Sequence, residues 1–498
     1  MARTARGSSQ LAGIGFQLVL ATAMAVALGI SAGTENFLLI GVMLGGATVM
    51  LSALNWRRHL IPAIFAYVCV EGFLSLLFRQ YKASLLLKDF LIVIAYVSFI
   101  MEMVSKQRFV FFRGILVPMG VIALLAIAQV FNPALPNVLV GVVGFKILCF
   151  YMPLVFLGYY CFSNMQEIRK FLLLLLVFSI PVGMMAIWQY VEGPSALTRF
   201  GYSFEIAVVE TPGSEYGVHT RAIGTFASPG MLSWYALCTL TICVISLALV
   251  SRLSHRLFVV GCLVLAAVTS LASGTRGGFV VTALTIGTML LLVGRRRHLA
   301  TGAVLTAMAV AIVAVFMGQA VLGRLETLGD FDLLWARLRM PFATTGRALN
   351  VAPLGWGLGY GSVGTRHVIP GGQPLLLVEN YWTKIAFELG WFGLLAFAWL
   401  IAASLLQGIH SYRSCLTREA RWVVGCLAVF LTGLLALSFI GTALDKIPAN
   451  VYFWFFLGVM LRVPELPMRA PPSEPTEPVP RPPRPEPPAA PQGAGPAS

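Results

Sequence analysis

Long apolar runs separated by short polar connections recur from Leu11 to Leu461. A helix needs about 20 residues to cross about 30 Å of hydrocarbon. Fourteen stretches come near that length: Leu11 to Ile30, Phe37 to Leu54, Leu60 to Phe78, Phe90 to Val104, Gly114 to Phe131, Val138 to Phe162, Phe171 to Tyr190, Met231 to Val250, Leu257 to Leu271, Gly278 to Val293, Ala300 to Gly318, Trp391 to Leu406, Trp422 to Phe439 and Val451 to Leu461. Strands of a membrane barrel would read as shorter segments of alternating hydrophobicity, so the continuity of these runs predicts helices. The expected fold class is an all-α polytopic membrane protein of about 12–14 transmembrane helices, with residues 1–463 as its transmembrane domain. Two large loops, about 191–230 and 319–390, interrupt it on one side. The second holds an amphipathic stretch, Leu322 to Met340, whose apolar face suits either the bilayer surface or the bundle.

Basic residues orient the pattern. Arg57-Arg58, Lys106/Arg108/Arg113, Arg169-Lys170, Arg252/Arg256, Arg295-Arg296-Arg297 and Arg413/Arg418/Arg421 fall on every second connection, which marks that side as cytoplasmic and puts both termini there. Arg79, Lys82 and Lys88 run against the rule. The start, with Arg3 and Arg6 before Leu11 to Ile30, reads as an uncleaved first span. Residues 464–498 turn abruptly proline-rich, cannot build an apolar core and are expected to be a disordered cytoplasmic tail.

Composition agrees. The chain has 498 residues, 58% of them hydrophobic and only 11% charged, too few polar side chains to cover a water-soluble globule. Its formal charge of +15 lies largely in short loops beside spans, where it sets orientation and attracts anionic lipid, so nucleic acid is not an expected partner. The eight cysteines avoid the two large loops, which argues against a disulfide framework. No spacing of His, Cys, Asp and Glu suits a metal, and no cofactor motif is present.

Arginines on the other side have no sorting rule to explain them. Arg276 lies in Ser273-Gly274-Thr275-Arg276-Gly277-Gly278, a turn so short that it holds the guanidinium at the external lip of the membrane. Arg221 begins Arg221-Ala222-Ile223-Gly224-Thr225-Phe226, and Arg347 ends Thr344-Thr345-Gly346-Arg347. A guanidinium fork matches phosphate oxygens, and three of them near one interface could hold a diphosphate; contact with bilayer phosphates is the plainer alternative. Gly355-Trp356-Gly357-Leu358-Gly359-Tyr360-Gly361 suits a tight loop whose backbone, at Gly357 and Gly359, approaches a ligand closely. Glu379 and Asn380 open the helix that enters the membrane at Trp391, with Glu379 either a terminus-stabilising acid or a general base. His367 is a second candidate base. Lys384 and Glu388, four apart, read as a structural pair. Glu71 and Lys146 fall inside spans, where an ionised group is costly unless paired or functional; a mutual pair or a substrate contact would account for them.

Arg221 to Phe226, Ser273 to Gly278, Gly355 to Gly361, Glu379-Asn380 and Glu388-Leu389-Gly390-Trp391-Phe392-Gly393-Leu394 together resemble, in order and membrane placement, the bacterial O-antigen polymerase and O-antigen ligase superfamily. The resemblance covers roughly Arg221 to Leu400 and implies an inner-membrane enzyme with periplasmic large loops. It implies transfer of a polyprenyl-diphosphate-linked oligosaccharide to an acceptor sugar at the periplasmic face, without nucleotide sugar or metal, and with a chain-length regulator as a further partner. Ligases of that family typically carry His-Asn where this chain has Glu379-Asn380, which leans the expectation toward a polymerase. Arg221, Arg276, Arg347 and Lys146, with Gly357, Gly359 and Asn380, would then bind the diphosphate and substrate, and Glu379 or His367 would take the hydroxyl proton. A transporter of the same lipid-linked sugar is the rival from a different class.

Overall fold

Small polar residues ahead of apolar runs set where helices start. Asn137, Asn164, Ser228, Asn380 and Thr417 each accept, through the side chain, the backbone N–H three residues on, satisfying donors that have no partner inside the helix. The computed structural model describes residues 56–77, 87–106, 113–199, 208–209, 219–293, 331–362, 364–365, 368–369, 375–376 and 378–467. Its helices are α1 (Ile61–Leu77, entered through a π-helical turn Trp56–Leu60), α2 (Leu87–Lys106), α3 (Arg113–Val130), α4 (Val138–Cys149), α5 (Leu154–Cys161), α6 (Met165–Glu192) and α7 (Pro194–Arg199). They continue with α8 (Pro229–Leu249), α9 (Leu253–Ala272), α10 (Arg276–Val293), α11 (Phe331–Val351), α12 (Tyr381–Ser414), α13 (Arg418–Ile440) and α14 (Ala449–Arg462). A two-residue antiparallel ladder, Val208–Val209 with His219–Thr220, is the β-structure found among the described residues. The loop expected over 191–230 therefore contains α7 and this ladder.

Among the described residues, six segments are long and apolar enough to cross a membrane: Val138–Cys161, Met165–Glu192, Pro229–Leu249, Leu253–Ala272, Tyr381–Ser414 and Arg418–Ile440. Gly114–Val130 and Gly277–Leu291 are shorter apolar helices. The class is an all-helical membrane protein. The expected spans Leu11 to Ile30, Phe37 to Leu54 and Ala300 to Gly318 lie outside the described residues, as do Arg79, Lys82, His367 and the tail 468–498.

Two expected spans differ from simple membrane-crossing rods. Val138 to Phe162 is interrupted: α4 stops at Cys149 and α5 begins only after Pro153. The stretch Val451 to Leu461 is buried at every residue, so α14 is enclosed by protein rather than lipid. Glycines make that enclosure close. A Cβ on Gly158 would sit 2.0 Å from the Phe455 carbonyl oxygen, and one on Gly458 1.9 Å from that of Val155, so α5 and α14 touch backbone to backbone. Around them Phe65 meets Phe171, Tyr452 and Phe455 edge to face, at ring separations of 4.9–5.3 Å.

The ends of the bundle have different chemistry. On the expected cytoplasmic side Arg57 and Lys106 pair with Glu102, and Arg462 with Glu465. At the opposite end connections bond to helix backbones remote in sequence: Phe73 N–H to Thr225 O at 2.8 Å, Ala222 N–H to Ala272 O at 2.9 Å, Leu358 N–H to Gln129 O at 3.2 Å and Tyr381 N–H to Gly441 O at 2.9 Å. Segments distant in sequence thus form one continuous rim.

Candidate functional site

The rim is built around a buried amide that sequence reasoning missed. Gln189, near the end of α6, is fully buried. Its Oε1 accepts the Ile223 and Gly224 N–H groups at 3.0 and 2.7 Å, while its Nε2 donates to Gly224 O at 2.8 Å. Thr225 adds a hydroxyl bond to Cys69 O on α1. Three backbone groups that would otherwise be orphaned in an apolar setting are thereby satisfied, and Arg221 to Phe226 is fixed between α1 and α6. A buried amide one turn from the end of an apolar helix was the available signal.

Arg221, half-buried, donates from Nε to Ser273 O at 3.4 Å, so the two arginine-bearing turns meet. The Ser273 turn is self-bonded: Ser273 Oγ donates to Ser270 O at 2.6 Å and accepts the Thr275 N–H at 3.3 Å, and Gly274 takes φ 64°. Arg276 follows as the first residue of α10. The two glycines behind it serve helix packing. A Cβ on Gly278 would lie 2.0 Å from Ser233 Oγ, and one on Gly277 3.0 Å from Ile440 Cδ1. Ile440 ends α13, whose Phe439 stacks edge-on against Phe342 of α11 at 5.1 Å. Arg347 is exposed on that same helix. Arg221 and the Arg276 turn are therefore in direct contact, and Arg347 belongs to the helix packed on the C-terminal end of α13.

The glycine-rich loop spends its conformational freedom on protein contacts. Gly355, Gly357 and Gly359 have φ of 87°, 102° and 85°, a region other residues adopt only with strain. Added Cβ atoms would meet Glu388 O at 2.5 Å, Leu135 Cγ at 2.5 Å and Val140 O at 2.4 Å respectively. Trp391 N–H bonds to Pro353 O at 3.0 Å, across a break in α12 at Gly390, φ 65°. The expected entry of α12 into the membrane at Trp391 coincides with this break. Asn380 is its N-cap, with Oδ1 accepting the Thr383 N–H at 2.8 Å and Nδ2 donating to Thr344 Oγ1 at 3.2 Å. Both ends of its amide are used in the fold. Glu379 is exposed immediately before the cap.

Two ion clusters underlie the rim. Lys384 Nζ bridges Asp445 and Glu388, with Glu388 Oε2 at 3.7 Å; Glu388 Oε1 also accepts Gly361 N–H and Ser362 Oγ, each at 3.1 Å. The Lys384–Glu388 pairing expected from spacing is present, and Asp445 is a third member that sequence reasoning passed over. Its signal was an acid in the short, mostly apolar connection between α13 and α14. The second cluster corrects the mutual pair expected of Glu71 and Lys146. Glu71 pairs with Lys88, and Lys146 pairs with Asp89, which also accepts the Tyr151 hydroxyl at 2.9 Å. Lys88 stood out only as a cation on the unexpected side and Asp89 not at all, so neither was read as a partner for the ions inside the spans. Lys88 reaches Glu71 across from α2 to α1, a contact that local sequence does not reveal.

All eight cysteines are buried free thiols. Among the described residues no three of His, Cys, Asp and Glu are placed to hold a metal. The assembled rim offers guanidinium donors and an exposed carboxylate on one face of a membrane bundle, groups suited to holding an anion and moving a proton. Comparison with family models and with curated proteins finds no match.

Proposed function

We propose that this chain is an inner-membrane glycosyltransferase that polymerises polyprenyl-diphosphate-linked oligosaccharide repeats at the periplasmic face, through a domain of about 12–14 spans with two large periplasmic loops. The observation that carries the reading is the Arg221 bond to Ser273 O, which joins two arginine-bearing turns remote in sequence at one rim. Attack of an acceptor hydroxyl on the anomeric carbon expels a diphosphate, so cations must hold the leaving charge and a base must take the proton. Arg276, Arg221 and Arg347 hold the charge in this scheme. Glu379 takes the proton, since it is exposed beside the helix packed against Arg347's own. Donor and acceptor are both lipid-linked, the acceptor being a second repeat.

The test is Arg276→Ala in cells that make the polymer. Single lipid-linked repeats should accumulate while the protein stays in the membrane; polymer of normal length would refute the reading. If polymer forms but stays on its lipid, the chain is a ligase instead. One observation favours a second reading, transport of the lipid-linked sugar: the helix break between α4 and α5 lies beside a cluster of buried charges, a combination used by transporters. Repeats stranded on the cytoplasmic side after deletion of the gene would select that reading.

A further inference from the structure

Two contacts set the register of Arg221 against the neighbouring turn. Ala222 N–H and Arg221 Nε reach consecutive carbonyls, Ala272 O at 2.9 Å and Ser273 O at 3.4 Å, where α9 ends. A slide of the segment by one residue would break both. Gln189 opposes such a slide. It is fully buried, both ends of its amide are engaged, and its three bonds close on Ile223 and Gly224, the two residues that follow Ala222. Gln189 and the receiving carbonyls are carried by two helices packed against each other. A Cβ on Gly183 of α6 would lie 2.6 Å from Leu265 Cγ of α9, and Cys262 Sγ of α9 donates to Leu176 O of α6 at 3.8 Å. The packing of α6 on α9 therefore sets where Gln189 stands relative to Ser273, and the Arg221 segment bridges the two. An apolar side chain in place of Gln189 would leave two N–H donors and one carbonyl without partners in a buried setting, so the segment would shift to find others.

We propose that Gln189 is a positioning residue for transfer: it holds Arg221 in register with the Ser273–Arg276 turn, so that the two guanidinium groups bear on one anion together. Gln189 touches no reacting atom and acts through Arg221. The role rests on the reading of Arg221 and Arg276 as holders of the leaving charge. Groups fixed before the reaction need no rearrangement as that charge develops, which is why a buried amide beneath a charged loop bears on rate as well as on folding.

Full-length protein in nanodiscs is given lipid-linked repeats extracted from cells that lack the gene, and polymer is measured per mole of monodisperse protein. Gln189→Leu removes all three bonds and should lower kcat about tenfold to a hundredfold, the scale expected when a charge-holding group is displaced by about 1 Å. KM should stay within about twofold, because the interaction lost is one made in the transition state. Gln189→Glu keeps the acceptor for both N–H groups but sets a carboxylate against Gly224 O, and should lower kcat about threefold to tenfold. It replaces the leucine variant in every comparison if that variant does not fold. The deciding measurement is the double variant. In an Arg221→Ala background the Gln189 substitution should cost less than about a further twofold, since the group it positions is gone. Losses that multiply in full would make Gln189 a structural residue only and overturn the proposal, as would wild-type turnover in either folded variant. Wild-type protein that makes no polymer would remove the polymerase reading and this role with it, whereas a polymerising wild type with an indifferent Gln189→Leu would remove this role alone.

Discussion

The two ion clusters have the same ingredients and opposite surroundings. Lys384 and Glu388 have no exposed side-chain surface and Asp445 has 5%, whereas Lys146 reaches the wall of the bundle. The enclosed cluster ties three separate segments together. Lys384 and Glu388 come from α12, Gly361 and Ser362 from the glycine-rich loop, and Asp445 from the turn between α13 and α14. Its groups have almost no exposed surface, so the cluster answers its own charges inside the protein while linking these segments. The open cluster fixes less, because Glu71–Lys88 and Asp89–Lys146 are two neighbouring pairs rather than one bridge. Charges in an apolar bundle are costly in either place. The enclosed cluster offsets that cost with partners inside the protein, whereas Lys146 keeps 34% of its side chain exposed.

The sharpest way to break the contrast is Lys384→Met. It leaves the fully buried Glu388 carboxylate and the largely buried Asp445 carboxylate without their cation, and the loss should be about 3–5 kcal/mol, read as a large fall in the thermal midpoint of purified protein in detergent. A small fall would mean that the enclosed cluster is no more structural than the open one. Gly355→Ala should come next. Its Cβ would lie 2.5 Å from Glu388 O with φ at 87°, which pushes the loop off the cluster at a cost of about 1–3 kcal/mol. Stability and transfer activity should fall together in this variant. If stability falls and transfer does not, the glycine loop carries no part of the site.

How far the sequence foretold this contrast depended on distance along the chain. The helical nature of the described apolar runs and the Lys384–Glu388 pair follow from local period, and the break at Gly390 lies where the apolar run after Trp391 begins. Asn380 as helix opener was readable from its position ahead of that run. Partners from remote segments were not. Asp445 and Asp89 look like ordinary connection charges until the bundle brings α13–α14 beside α12 and α2 beside α4. Burial of α14 was hidden for the same reason, since Val451 to Leu461 is as apolar as a lipid-facing helix and only the Gly158–Gly458 contact reveals its neighbours. Glycines in Gly355 to Gly361 suggested close approach correctly in kind. The approaching backbone is the protein's own, from α4 and α12.

Asn380→Ala tests the edge of the enclosed region. It removes the N-cap bond to Thr383 N–H and the bond to Thr344 Oγ1, both at the point where α12 meets α11. Loss of a cap costs about 1 kcal/mol, and Thr344 and Thr345 still contact Thr383 through their hydroxyls, so the fold should survive. What should change is the seating of α11, and with it the reach of Arg347 toward the rim. Transfer should therefore weaken more than stability does. Asn380→Asp keeps an acceptor for the Thr383 N–H and should recover the helix start, while still lacking the donor to Thr344. Full recovery of both properties in the aspartate variant would assign the whole effect to the cap, and would remove the Thr344 bond from any part in positioning Arg347.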